Sequence, residues 1–491
     1  MNARDFLLHA APGSAPHGSL DQVAPLHLVR KEFLDSATAS VVPGLSLRSN
    51  FVWVLIGNAV YAVCQWCMIV ALAKFGNAFM VGQFSIALAI ATPVLTFSNL
   101  HLRAVQATDA RRLYSFAEYL QMRVIMTLAA IAVIAGVTWF GHYERRTAMV
   151  ILAVALAKGI ETLSDIHYGL FQLNDRLDQT GRSAMLRGVL SVGVVGATLY
   201  ITRDVFCGCI GLALVWLAAL LFFDVRRGRF FVVRSVKVGQ PPDWRSSSPL
   251  RRAHAFQRQR NLMRLALPLG VVTTIASVNL NMPRYFIHSR FGEHQLGIFS
   301  AMAYAALAMT LVSDSLGHCA LPRLSRLYAE GRLAEFRSLL IRLLTVAGTL
   351  GVAGLVAAQF MGARLLAIFY SQEYAAHQKV FILLVLAIAI HCVAGVLTSG
   401  ILSARCFRIQ VPMFALVAGC SALGCNRWVP AAGLAGGAAA MAVAATVHLV
   451  LAAAVVGYLL SAPAKRAAAA RLYSPTSTLE DGPYDIALRV Q

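Results

Sequence analysis

Three ionisable residues, Lys158, Glu161 and Asp165, share one face of a long apolar run, and Gly169 and Gln172 continue that line at helical spacing. A charge at mid-membrane costs about 2.5–3.5 kcal/mol on insertion scales, so three on one face imply water, mutual pairing or a function. Lys158 and Glu161 stand at i,i+3 and can pair within the helix. Asp165 then has no obvious partner, and an unpaired carboxylate in such a place is a candidate proton or cation site. Asp314, in line with Ser300, Tyr304 and His318, is a further ion-coupling candidate. Arg284 follows Pro283 on a stripe with Thr273, Ser277 and Asn281. A guanidinium there can form a planar fork with a phosphate, or it can snorkel to the interface as an anchor. Pro283 is expected to disturb the helix.

Other polar residues align too: Ser85, Thr92, Thr96, Asn99 and Arg103 in one run, Asn58 and Gln65 in another. Such stripes either line a cavity or bind helices to each other through interhelical hydrogen bonds. Arg103, Arg123, Arg264 and Arg342 lie near span ends, where interfacial anchoring is expected. His167 points away from the Asp165 stripe, and with His391 and His448 it reads as a structural histidine. The charges placed in or near a cavity, Arg103, Lys158 and Arg284 against Glu161, Asp165 and Asp314, cancel.

The elements that must position these residues follow from composition. Of 491 residues, 58% are hydrophobic and 13% charged, against about 25% charged in ordinary soluble domains. Soluble enzymes and nucleic-acid binders are thereby nearly excluded, and about twelve apolar runs of spanning length are found between residues 51 and 460. The runs at 185–202 and 408–425 are the shortest. The chain reads as an all-α integral membrane protein with about twelve transmembrane helices in two six-helix bundles. Its expected parts are an N-terminal tail (1–47), a first bundle (48–224), a basic linker (225–260), a second bundle (261–460) and a C-terminal tail (461–491). The first 47 residues lack the apolar core and cleavage pattern of a signal peptide.

The net charge of +21 needs no nucleic acid, because its placement follows topology. With a cytoplasmic N-terminus, 33 of the 43 Lys and Arg residues fall in the tails and inner connectors and nine in the outer ones. That asymmetry puts both termini inside. The 225–260 linker carries the largest share of this charge and can also attract anionic headgroups.

An internal repeat divides the chain at the same point. Phe75-Gly76 followed by Gly82-Gln-Phe84-Ser85 returns as Phe291-Gly292 followed by Gly297-Ile-Phe299-Ser300, and Tyr114–Leu120 echoes Leu333–Leu340. Six spans per repeat give both halves the same orientation, related by an axis along the membrane normal with a substrate site between them.

Catalytic signals of soluble type are missing. There is no Walker A motif, and Cys64-Gln-Trp-Cys67 lies in an apolar helix without a second ligand pair, so neither a cofactor nor a metal is expected. The nine cysteines form no disulfide framework.

Several of these segments together resemble a known family. Arg48-Ser-Asn50-Phe-Val-Trp53 with Gly57-Asn58 and Gln65-Trp66, Phe75-Gly76 through Gly82-Gln-Phe-Ser, and Asn99-Leu-His-Leu-Arg103-Ala-Val-Gln106-Ala-Thr-Asp109-Ala-Arg111 are similar to Wzx-like oligosaccharide flippases of the MOP (multidrug/oligosaccharidyl-lipid/polysaccharide) exporter superfamily. Asn281-Met-Pro283-Arg284-Tyr-Phe286 and Leu296–Ser300 resemble the second-half counterparts, and the likeness covers roughly residues 48–460.

The resemblance implies two bundles that rock between inward-open and outward-open states in the bacterial inner membrane. Their cargo would be an undecaprenyl-diphosphate-linked glycan, with membrane lipids around the protein and a polysaccharide polymerase and assembly proteins as further partners. Arg284, Arg103, Asn281, Asn99, Asn58 and Gln65 would then contact cargo, and Asp165, Glu161, Lys158 and Asp314 would serve ion coupling. A cation-coupled multidrug or metabolite antiporter of the same superfamily is the alternative. An integral-membrane polymerase or acyltransferase is another, opposed by short outer loops and by the repeat.

The topology can be tested in a cysteine-free background. Single cysteines replacing Arg145 and Arg427 should react with an impermeant maleimide in whole cells, and one replacing Arg245 should react only after lysis.

Overall fold

In the computed structural model the described residues are 45–109, 114–237, 249–404, 406 and 409–461, and they are almost wholly helical. The first half comprises α1 (Leu47–Phe75), α2 (Ala78–Asn99), the short α3 (Leu102–Thr108), α4 (Phe116–Phe140), α5 (Arg145–Leu173), α6 (Leu177–Thr202) and α7 (Val205–Ala219). A π-helical turn (Leu220–Val225) leads from α7 into α8 (Arg226–Lys237). The second half comprises α9 (Pro249–Ala329), α10 (Leu333–Phe369), the one-turn α11 (Gln372–Ala375), α12 (Gln378–Ser403) and α13 (Gln410–Ser461).

Ten helices among the described residues are long and apolar enough to cross a membrane. Two of them are broken by a glycine in left-handed conformation, α9 at Gly292 (φ 74°) and α13 at Gly433 (φ 58°). Counting each arm as a crossing gives twelve segments, consistent with the count from the sequence. The helix stays regular through Pro283; the break falls at Gly292, the repeat counterpart of the Gly76 that ends α1. The expected disturbance at Pro283 is thus corrected. The short run at 185–202 is also corrected, since α6 begins at Leu177 and its first turns carry Asp178, Arg182 and Arg187 among small residues.

The helix starts are written locally. Asn77 caps α2 by accepting from the Met80 N–H at 2.9 Å, and Ser115 and Glu118 form a reciprocal capping box on α4. Large apolar side chains remain on the outside, with Trp139, Phe140 and Phe360 between 78% and 82% exposed. Such a surface suits lipid as solvent.

The halves meet where α2 crosses the second arm of α9. A Cβ on Gly82 would lie 1.8 Å from the Glu293 carbonyl oxygen, and one on Gly297 would lie 1.8 Å from the Ala78 carbonyl oxygen. Gly82 and Gly297 differ by 215 positions, as do Ala78 and Glu293, so the two contacts are one contact applied twice about a pseudo-two-fold axis. Small residues permit this backbone approach, which no larger side chain would allow. Val81, Phe84, Ile287, Leu296 and Phe299 fill the buried core around it.

Gly297→Ala is expected to force the backbones apart and to cost about 1–3 kcal/mol, the usual penalty for an overpacked core. The check is the thermal unfolding midpoint in detergent, with Gly348→Ala, a site where a Cβ meets nothing, left near wild type.

Candidate functional site

The sharpest local feature of the first half is the jog between α2 and α3. Leu100 (φ 47°) and His101 (φ 51°) are both left-handed, a conformation that costs an L-residue about 1–2 kcal/mol each and persists only where packing enforces it. Leu100 is fully buried against Leu262 and Ala266 of α9. The jog turns α3 against α5, where Gly169 leaves room for the Gln106 side chain, and brings Arg103 opposite Asp165.

Asp165 is doubly paired. Arg103 Nη1 reaches its Oδ1 at 3.2 Å, and Arg123 Nη2 reaches Oδ2 at 3.1 Å. Arg123 also donates to Asn99 Oδ1. Two sequence-based expectations are corrected here: Asp165 has partners, and Arg123, its side chain fully buried, is no interfacial anchor. The missing information was tertiary, since the partners come from α3 and α4.

Farther along α5, Lys158 Nζ bonds Glu161 Oε2 at 2.7 Å, the intrahelical pair read from the spacing. Tyr61 of α1 donates to the other Glu161 oxygen at 2.6 Å. Beside this pair lies Arg187, which sequence reasoning missed because it was counted as a connector charge. It is 3% exposed, with its guanidinium carbon 5.4–5.8 Å from the ring centroids of Tyr168, Tyr61 and Trp216. Its place on an α6 face with Ser183 and Ser191 was the available signal.

In the second half Arg284 is 6% exposed. Its Nη1 donates to Asn281 Oδ1 at 2.7 Å, Asn281 Nδ2 donates to the Ser277 carbonyl at 2.9 Å, and the guanidinium lies 4.9 Å from the Tyr304 ring centroid. No carboxylate among the described residues pairs with it. Next to it Tyr285 of the same helix donates to the Ala89 carbonyl of α2, so the arginine stands at the seam between the halves.

The structure therefore joins Asn99, Arg103 and Asp165 through Arg123, groups Lys158 and Glu161 with Tyr61 and Arg187, and holds Arg284 with Asn281 separately. Asn58 is exposed and Gln65 half-buried, and neither bonds to these groups. The Asp314 side chain lies outside the described residues. Arg123 and Arg187, which the sequence-based count of charges left out, also lie inside the bundle. Arg103, Arg123, Lys158, Arg187 and Arg284 stand against Glu161, Asp165 and a further buried carboxylate, Asp224.

The seam itself is tied at both ends. At the glycine crossing, Thr147 of α5 donates to Glu293 Oε1 at 3.1 Å and receives Gln83 Nε2 at 3.0 Å. Trp66 of α1 donates to the Tyr370 hydroxyl at 3.0 Å. At the opposite end Arg258 pairs with Glu118 at 2.6 Å, and Gln259 donates to the Glu118 carbonyl at 3.0 Å.

No family model matches the sequence. The chain is 26% identical over 339 residues to a capsular polysaccharide biosynthesis protein, CapF, of Staphylococcus aureus, a match covering 68% of this chain and 80% of that one. Among solved structures it superposes on the lipid II flippase MurJ in an inward-closed conformation with a TM-score of 0.65 at 11% identity, covering 89% of this chain and 95% of the other. An outward-facing multidrug resistance MATE family transporter of the MOP superfamily gives a TM-score of 0.54 at 14% identity, covering 83% and 94%. Two pseudo-symmetric helical halves, a charged interior at their seam and these likenesses make this a multi-pass membrane protein with the fold of the MOP-superfamily transporters, similar in sequence to a capsular polysaccharide biosynthesis protein.

Proposed function

We propose that the chain is a flippase that moves an undecaprenyl-diphosphate-linked oligosaccharide, a polysaccharide or O-antigen repeat unit, across the bacterial inner membrane by alternating access. The observation that carries this reading is the similarity to a capsular polysaccharide biosynthesis protein over 80% of that protein's length, on a fold shared with a lipid II flippase. It is a transporter's reading and assigns the chain no catalytic step. Both termini would be cytoplasmic, membrane lipids would surround the bundles, and a polysaccharide polymerase and assembly proteins would take the product onward.

The chemistry of the seam supports an anionic cargo. A polyprenyl tail can stay in the bilayer while the sugar and diphosphate cross between the halves, and a diphosphate calls for planar, fork-shaped donors. Arg284 is the described guanidinium best suited to this, since its nearest partners are an amide and an aromatic face rather than a carboxylate. Arg103, one-third exposed, is the second. Asn281 and Asn99 orient these two groups. The MATE likeness keeps a cation-coupled antiporter as the alternative, yet Asp165 and Glu161 are each engaged by cations and offer an organic cation little free charge.

Two experiments test the reading. Mass spectrometry of lipid-linked saccharides in a deletion strain should find one specific undecaprenyl-diphosphate glycan accumulated on the cytoplasmic leaflet; an unchanged pool overturns the assignment. For the residue, Arg284→Ala should abolish glycan export and Arg284→Lys should lose most of it at matched expression, because a point charge does not reproduce the fork. Full export by the lysine variant would make Arg284 a packing residue.

A further inference from the structure

The π-helical turn that joins α7 to α8 carries Asp224, which is wholly buried, and neither carboxylate oxygen has a hydrogen-bond partner of normal geometry. A π turn inside an α-helix often marks a functional position. Helix α5 faces it with Ser164 and His167 and α6 with Ser183 and Arg187. One turn beyond Asp224, Gly228 lies so close to His167 that a Cβ there would sit 2.8 Å from the ring. Ser164 Oγ and Arg187 Nε and Nη1 are likewise buried without partners. Three helices thus converge on one place that gathers five of the fourteen buried side-chain polar atoms without a well-formed hydrogen bond among the described residues.

The tautomer of His167 is fixed by its surroundings. Its Nδ1 lies 2.9 Å from the Leu163 carbonyl, which can only accept, so Nδ1 carries a proton and any change in charge occurs at Nε2. Around the pair stand Arg187, the Tyr168 hydroxyl held at 2.8 Å by Ser183, and more distantly Glu161 with Lys158. The nearby arginines of α8, Arg226, Arg227 and Arg229, are exposed. Burying a carboxylate with only the Ser164 and Ser183 hydroxyls and the Arg187 guanidinium beside it, none in a well-formed hydrogen bond to it, is costly, and a bound proton relieves that cost without a coordination shell. A metal cation would instead bring a second full charge next to Arg187.

We propose that Asp224 and His167 Nε2 form a proton-binding site that couples a pH gradient to transport, separate from the Asp165 group and from the seam. This rests on the transport reading above for its role, though not for its existence. Loading adds one proton to the pair and breaks no covalent bond; the proton leaves by the same site. The π turn and α8, which begin beside the pair, are the elements that such loading would shift.

The test uses the full-length protein purified in nanodiscs. Infrared difference spectra between about pH 5 and about pH 8 should contain a carboxyl or imidazole band that titrates in the wild type and is lost in both Asp224→Asn and His167→Gln. Titrating bands that survive both substitutions, or a band that answers sodium and not pH, would overturn the site. In proteoliposomes carrying a fluorescent undecaprenyl-diphosphate saccharide, the ratio of flipping rates with and without a pH gradient should exceed one in the wild type and fall to one in either variant. An unchanged ratio in both variants overturns the coupling role. If the wild type flips no saccharide, the cargo assignment fails while the spectra still decide the site. Thermal unfolding of each variant separates loss of the site from loss of the fold.

Discussion

A bilayer core offers no hydrogen bonds, so every polar side chain carried into it must find its partners inside the protein. In this chain that constraint decides where the arginines go. Arg123 would be ruinous against lipid; placed between Asp165 and Asn99 it becomes the tie that holds α2, α4 and α5 together. Arg187 meets the same demand through three aromatic faces, which attract a cation without supplying a counter-charge. Pairing a buried charge seldom adds much stability in itself, but removing one partner leaves the other stranded. The first half is therefore rigid where its charges interlock, and this rigidity suits a bundle that moves as a unit.

Between the halves the contact is of a different kind, close but not chemically bound. The α2 and α9 crossing at Gly82 and Gly297 is of this kind: backbone on backbone, repeated about the pseudo-axis, with no side chain interposed. Polar ties flank it, Thr147 with Glu293 at one end of the seam and Arg258 with Glu118 at the other. Each crosses between the halves through one or two hydrogen bonds or a partly exposed ion pair, and such links are individually worth little. The larger contact is apolar, since a single buried core that includes Val81 and Phe84 of α2 and Ile287, Leu296 and Phe299 of α9 runs across the seam.

Much of this was legible in the residues. Composition and span length yield the fold class, and the returning Phe-Gly and Gly-x-Phe-Ser segments yield the two halves, though not the close crossing that the glycines of those segments make. The Lys158 and Glu161 pair is a matter of spacing on one helix and was read correctly. Asp165 was not, because its partners arrive from helices far away in sequence, one of them re-aimed by two left-handed residues that no pattern announced. Arg187 fell at the edge of an apolar run and so counted as a connector charge, and Asp224, one residue past the end of another run, carried no signal of its own. A span boundary drawn from hydropathy is a boundary of composition, and α6 and the π turn extend past it.

The repeat is symmetric in its backbone and asymmetric in its chemistry. Gly82 answers Gly297 and Ser85 answers Ser300, yet the interlocked charges described in the membrane-embedded interior lie almost entirely in the first half, while the second contributes Arg284 with its amide and aromatic partners. Duplication supplies two bodies of like backbone whose interiors have diverged in chemistry. A guanidinium without a carboxylate has its donors less committed than one paired with aspartate. Asp224 and His167 are likewise buried in the first half, among side chains that have no counterpart among the described residues of the second. Within the first half the polar network is continuous, because Arg103, paired with Asp165, and Arg187 both lie over the Tyr168 ring, so a change of charge at one of these groups is felt by the next through a shared side chain.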